Sequence, residues 1–346
     1  MRDLKACETL FTGMAPAKAL GTALTGTLVI DAEEDFDWNN PVQGTETSTA
    51  HMKNVRLLGP LLAAFRIVPT YLLTYPVLED PEVVAILRRQ LDKGQCVLGV
   101  QLHSWVTPPL DGSASSRRSF LGNLEGDLEE QKLITIKARF REVFGFDPTI
   151  YRAGRYGLSR NTSRLLEKHG FNIDTSVAPR TDFSDAGGCD YTDFDYGPFW
   201  FGEQRTLLEL PLCRGIVGWG GAWAARLYRH LSGPRLARLH APSLLTRTRC
   251  AERVTLSPEG NDVSAMRRLV HGLRSQGQQV FAVSFHSSSL QVGRNPYVQS
   301  RADLHRFHDR MSAILDHMVT DLSIRFVGTG DIPGLLAAPP PARRAA

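Results

Sequence analysis

The chain has 346 residues, 42% of them hydrophobic and 22% charged, enough to bury a substantial core; it is neither a disordered tail nor a disulfide-stapled miniprotein. Forty Lys and Arg against 36 Asp and Glu leave a net charge of +4, too slight an excess for a phosphate-tracking surface, so nucleic acid is set aside as a partner. Five cysteines (Cys7, Cys96, Cys189, Cys213, Cys250) are scattered without a C-x-x-C pair, which argues against a disulfide framework or a structural zinc and for a reducing compartment.

Thr12, Gly13, Pro16, Lys18, Gly21 and Thr22 interrupt the start of the chain, so neither a signal peptide nor a membrane span is expected and the protein is assigned to the cytoplasm. Short apolar runs then recur: 27–30, 68–73, 96–100, 172–173, 207–210, 280–283 and 324–327, with a further one at 148–151. Helical patterns separate them, at Pro81 to Asp92, 127–144, Asp262 to Arg274 and 301–318. This alternation predicts an α/β protein with a mostly parallel sheet, and a single distorted (β/α) barrel of about seven strands is favoured over two domains. The expected layout is an N-terminal extension over 1–24, a barrel over 25–335 and a disordered Pro/Ala/Arg-rich tail over 336–346. Within the barrel a charged insertion is expected over 182–255. Its first part carries seven acids and one base, Arg205; its second, from Arg214 to Arg253, carries eight arginines and only Glu252, with Trp219 and Trp223 interleaved.

Polar residues gather just after the apolar runs, where the carboxyl ends of barrel strands carry chemistry. Asp31, Glu33, Glu34, Asp35 and Asp37 place five carboxylates within seven residues. Crowded carboxylates either hold protons or require a cation, and Asp31, nearest the strand, is best placed as a base. Gln101, His103 and Trp105 follow the third run, and Arg152 and Arg155 provide two guanidinium groups suited to gripping a carboxylate bidentately. His286, just past the sixth run, is a candidate proton donor. Competing motifs are missing. No G-x-S-x-G elbow surrounds Ser287, Ser288 or Ser289, no Walker A loop is present, and Gly328 to Gly334 misses the dinucleotide spacing.

The ordered set Asp31-Ala32-Glu33, Gln101-Leu102-His103-Ser104-Trp105, Tyr151-Arg152-Ala153-Gly154-Arg155, Glu209-Leu210-Pro211 and Phe285-His286-Ser287 resembles the polysaccharide deacetylases of carbohydrate esterase family 4, the NodB-homology proteins, and among them the WalW-type branch. The resemblance implies a divalent metal, usually zinc, that activates water to remove acetyl groups from sugars. It implies Asp31 as catalytic base, Arg152 as the arginine holding that base and His286 as catalytic acid, with Glu33 or Asp35 and His103 as metal ligands. The second motif departs from the family by offering Gln101 with His103 in place of two histidines, which leaves the ligand triad incomplete unless a residue such as His51 completes it.

Asp174 is expected to orient His286, and Arg152 to keep Asp31 ionised. Gln101, Trp105, Arg155, Tyr156 and Pro211 are expected to bind substrate, with Trp38, Trp105 and Tyr156 available to stack on sugar rings. The expected activity is hydrolysis of a C–N or ester bond in an acetylated sugar or polysaccharide intermediate, in bacterial surface-polysaccharide synthesis. The rivals are a metal-independent amidohydrolase of the allantoinase sort acting on a small amide, and a non-catalytic carbohydrate-binding barrel.

Overall fold

The computed structural model describes residues 10–38, 47–110, 112, 115–220, 223, 247–248 and 250–339. Twelve strands occur among them: β1 (Ala15–Pro16), β2 (Thr25–Ala32), β3 (Thr70–Leu73), β4 (Val97–Leu102), β5 (Ile150–Ala153), β6 (Ile173–Asp174), β7 (Phe199–Phe201), β8 (Leu207–Glu209), β9 (Arg214–Val217), β10 (Glu252–Thr255), β11 (Val280–His286) and β12 (Arg325–Phe326). The helices are α1 (Gly59–Phe65), α2 (Tyr75–Glu79), α3 (Pro81–Asp92), α4 (Leu128–Phe144), α5 (Thr162–Lys168), α6 (Val263–Ser275) and α7 (Arg301–Asp316), with short 3-10 turns between.

Seven strands run parallel in the order β8-β6-β5-β4-β3-β2-β11 and β12 pairs parallel with β2, so that each of the eight apolar runs contributes a parallel strand. All eight residues of β2 are buried, which is why its centre, Leu28-Val29-Ile30, is an unbroken apolar run rather than an alternation. The sheet curls into a distorted (β/α) barrel. The space between β11 and the β6 side is spanned by backbone hydrogen bonds from Ser284 N to Leu256 O (3.1 Å), Leu256 N to Cys213 O (2.7 Å) and Leu212 N to Val177 O (3.0 Å). Strands β7 and β1 extend the sheet antiparallel beyond β8, and β12 adds to β2.

Helix boundaries follow local chemistry. Asp80 caps α3 by accepting from Glu82 N and Val83 N at 3.0 and 3.1 Å, and Pro81 occupies the first turn, where no amide donor is needed. Gly145 stops α4 in a left-handed conformation (φ +86°) that a side chain would resist. Asp262 caps α6 through Ala265 N at 2.7 Å, and the helix then buries Ala265, Met266, Leu269, Val270 and Leu273, one stripe at helical spacing, against the barrel.

The structure adjusts the expected layout. Strands β7 and β8, inside the predicted charged insertion, are fully buried members of the main sheet, and β9 and β10 form a separate antiparallel pair. Acids cluster in the loops around these strands, not in an appended segment. The α-helix expected over 301–318 ends at Asp316 and continues as a π-helical turn over His317–Asp321. Most of the arginine-rich stretch (221–222, 224–246, 249), the end of the tail (340–346), and Cys7 with the first nine residues lie outside the described residues. No helix among the described residues is long and apolar enough to cross a membrane.

Candidate active site

Parallel register sets the centre of the site. Asp31, the last residue but one of β2, lies directly opposite His286 at the end of β11, while Gln101 on β4 pairs with Arg152 on β5. Residues at one level of neighbouring parallel strands project the same way, so four separate segments converge. The Arg152 guanidinium forms a buried ion pair with Asp31 through Nη1 and Oδ1, and its Nε donates to Thr175 Oγ1 and O at 3.0 and 3.2 Å. Asp31 Oδ2 stands 3.6 Å from His286 Nε2, too far for a direct hydrogen bond but close enough for both to reach one shared atom.

The partner of His286 is Glu259, which the sequence reading missed. Its Oε2 accepts from His286 Nδ1 at 2.8 Å and its Oε1 from His286 N at 2.9 Å; Ser289 Oγ also donates to Oε1. Burial alone would lower the imidazole, but Glu259, Glu33 and Asp31 more than reverse this, and the pKa of His286 rises to about 10. His286 is therefore an imidazolium across the neutral range. Asp174 does not take the expected place beside it. The barrel order puts β6 between β5 and β8, away from β11, and Asp174 instead faces Glu209, its register partner, and accepts from Ser176 Oγ. Burial raises both acids, Asp174 to about 6 and Glu209 well above its usual value because Asp174 is beside it. Two neighbouring buried carboxyl groups that share a proton are the physical outcome.

Glu33 and His103 approach each other, with Oε2 3.7 Å from Nε2. Glu34 Oε1 holds His103 Nδ1 at 2.8 Å, and Gln101 Nε2 lies 3.1 Å from His103 Nε2. With the Nδ1 proton given to Glu34, the Nε2 lone pair is taken up by the Gln101 amide. Burial would raise Glu34, yet the His103 imidazole and its hydrogen bond hold it below the usual value. Glu33 is pushed well above its usual value by burial and by the charges of Asp31, Glu34 and Glu259, against His286, and its Oε1 has no hydrogen-bond partner among the described residues. Asp35 does not join this group: it faces His51 Nδ1 at 3.0 Å and Arg294 Nη1 at 3.1 Å.

This donor set does not fit the metal that the resemblance implies. Among the described residues no three His, Cys, Asp or Glu side chains converge as a metal site. His51, which could have completed the shell, is committed to Asp35 and, through Nε2, to Ser287 Oγ at 2.9 Å. Asp35, His51 and Ser287 have the connectivity of a hydrolase triad, but all three are buried and Ser287 Oγ accepts from Glu33 N at 3.3 Å. That arrangement ties the loop after β2 to the loop after β11 rather than presenting a nucleophile.

Aromatic rings pack against both histidines. Trp38 meets His286 edge-on at 4.8 Å and Tyr297 at 5.8 Å, while Trp105 stacks on His103 at 4.1 Å. Gly154 is required beneath: a Cβ there would lie 2.7 Å from His103 Cδ2 and from Leu102 O. Arg155 and Tyr156 follow with positive φ (53° and 58°), a strained pair for residues bearing side chains. Tyr156 lies beside Arg152, whose Cζ is 5.9 Å from its ring. Arg155 turns away, its Nη1 donating to Ser119 Oγ at 2.6 Å and its guanidinium 4.3 Å from the Phe120 ring. Pro211 is buried in the segment after β8.

No family model matches the sequence, and no curated protein matches it. Among solved structures, that of Puue allantoinase superposes with a TM-score of 0.54 at 13% identity, covering 90% of each chain. A probable polysaccharide deacetylase from Pseudomonas aeruginosa PAO1 superposes with a TM-score of 0.51 at 12% identity, covering 89% of each chain. The protein thus shares its distorted (β/α) barrel fold with structures named for two different activities.

Proposed function

We propose that this chain is a hydrolase that cleaves the acyl C–N or ester bond of an acetylated compound with Asp31 as general base and His286 as general acid. The observation that supports it is one arrangement. Asp31 and His286 face each other across 3.6 Å, each held from behind by an opposite charge, Arg152 and Glu259 respectively. In the reaction Asp31 takes a proton from water as its oxygen attacks the acyl carbon, and His286 Nε2 protonates the leaving nitrogen or oxygen as the bond to carbon breaks. Glu33, whose carboxyl group burial pushes well above its usual value, lies beside the pair and is the group we place next to the carbonyl oxygen.

An acetylated sugar of bacterial surface polysaccharide is the substrate proposed from the motif order, and its cytoplasmic synthesis the setting. A second reading, a metal-independent amidohydrolase of a small amide, is favoured by the Gln101 amide on His103 Nε2, where the family motif would put an imidazole. Acetate or amine release by wild type, Asp31→Asn and His286→Ala tests the shared chemistry. A fall of about 10²-fold or more per folded molecule is expected in each variant, and the loss of one member of a buried pair should also lower the melting temperature. Full activity in both variants rejects the assignment, and a carbohydrate-binding barrel then becomes the better reading.

A further inference from the structure

Arg214 opens β9, in register with Thr255 on β10. Thr255 leads through Leu256, which is bonded to β11, into the loop that carries Glu259. Two threonine hydroxyls hold the guanidinium: Nε donates to Thr255 Oγ1 and Nη1 to Thr181 Oγ1, both at 2.8 Å. Hydroxyls fix its direction without offsetting its charge, and Nη2 makes no hydrogen bond among the described residues. The charged and titratable groups that face Arg214 are Tyr156, Tyr297 and Arg253, with no carboxylate among them.

Four other arginines each have a carboxylate partner, whereas Arg155 lies against Ser119 Oγ and the Phe120 ring. Arg152 has Asp31, Arg294 has Asp35, Arg180 has Asp195 and Arg268 has Glu252. Arg214 is half-buried, and loss of solvation, together with Arg253, lowers its pKa. A guanidinium that is partly desolvated and pre-oriented without a counter-ion is poised for an external anion, since a carboxylate would restore the lost solvation through charge-assisted hydrogen bonds.

Two phenols connect this cation to the acid–base pair. Tyr156 lies within electrostatic reach of Asp31, Arg152 and Glu259 on one side and Arg214 on the other. Tyr297 lies within electrostatic reach of both Glu259 and Arg214, with its ring edge-on to Trp38, which in turn meets His286 edge-on. Neither phenol oxygen has a hydrogen-bond partner among the described residues, so both are available as donors to an anion or to sugar hydroxyls.

We propose that Arg214 is the receptor for a carboxylate on the substrate, so that the site takes an acidic acylated compound, an N-acyl sugar acid or an N-acyl amino acid, in preference to a neutral sugar. The inference rests on the hydrolase reading for its chemistry, but it can be tested by binding alone. Two matched pairs of probes differ only in the carboxylate: N-acetylglucosaminuronic acid against N-acetylglucosamine, and N-acetylglycine against N-acetylglycinamide. Calorimetry on wild type, Arg214→Gln and Arg214→Lys measures binding, and acetate release is followed on the same samples.

Wild type should bind the acidic member of one pair at least tenfold more tightly than its neutral partner, and the pair concerned tells sugar acid from amino acid. Arg214→Gln should bring that ratio close to one, and Arg214→Lys should keep part of it. Equal binding of acid and neutral probes by wild type, or no binding of either, overturns the proposal. So does an equal loss for both members in Arg214→Gln, because Arg214 would then only pin β9 to its neighbours. If the Gln variant does not fold, the wild-type ratio and the Lys variant decide by the same criteria. Charge-selective binding without acetate release supports the receptor and counts against the hydrolase; acetate release without charge selectivity does the reverse.

Discussion

Exchanging Glu259 for Gln removes a charge behind His286 while keeping the shape of the side chain. The rise of His286 from its ordinary 6.5 to about 10 corresponds to about 5 kcal/mol of preference for the imidazolium, at about 1.4 kcal/mol per tenfold change in proton affinity. Glu259 is the largest of the raising influences, through its charge and its 2.8 Å hydrogen bond to Nδ1, and a hydrogen bond between charged groups is worth about 1.5 to 3 kcal/mol. The assay is kcat/KM against pH, which reports the groups of the free enzyme. The alkaline limb, near 10 in wild type, should move down by about two pH units in Glu259→Gln, with the largest loss of rate above pH 8. The same linkage acts on stability. Because the folded pKa is raised, the contribution of His286 is complete below about 6.5 and is lost as pH rises towards 10, so the fall in melting temperature over that window should be smaller in Glu259→Gln. A profile that drops in height while its alkaline limb stays in place would refute the claim that Glu259 sustains the acid.

Three further outcomes follow from the buried charges. Arg152→Ala leaves Asp31 buried without its counter-ion and should cost about 3 to 5 kcal/mol in denaturant unfolding; a loss under 1 kcal/mol would show the pair to be well solvated. Asp174 is raised from 3.8 to about 6, so stability present below about 3.8 is lost as pH rises through 6. Asp174→Asn should remove up to about 3 kcal/mol of that fall, visible as a flatter urea-unfolding midpoint between pH 4 and 7, and an unchanged slope would count against the proton-sharing pair. Gln101→His places a second imidazole beside His103 and Glu33, so zinc retained after dialysis should rise from well below one per chain towards one. Equal zinc in the two proteins would show that the amide is not what occupies the ligand position.

The barrel was legible because parallel strands buried on both faces are written as unbroken apolar runs, as in β2, β4 and β11. The runs also located Asp31, Arg152 and His286, since the ends of parallel strands are where a barrel gathers its polar groups. What escaped was set by distance along the chain. Strands β7, β9 and β10 have three or four residues each, too few for periodicity to register. Glu259 is a lone acid in a turn 27 residues before His286, and its only local signal is the Ser257-Pro258-Glu259-Gly260-Asn261 turn just ahead of the cap Asp262. Asp174 was assigned to His286 because both end strands, yet order in the ring differs from order in the sequence and puts four strands between β6 and β11. The distribution of partners among Asp35, His51, Gln101 and His103 depends on side-chain directions that no spacing specifies.

The central claim is that Asp31 and His286 work as an acid–base pair without a bound metal. Its most direct test is acetate or amine release from N-acetylated sugars and small N-acyl amides by protein dialysed against a chelator, with metal content assayed on the same sample and Asp31→Asn measured alongside. Turnover should survive the removal of metal and fall by about 10²-fold or more in Asp31→Asn. Turnover that disappears with the metal and returns with added zinc, or that is equal in Asp31→Asn, would contradict the claim.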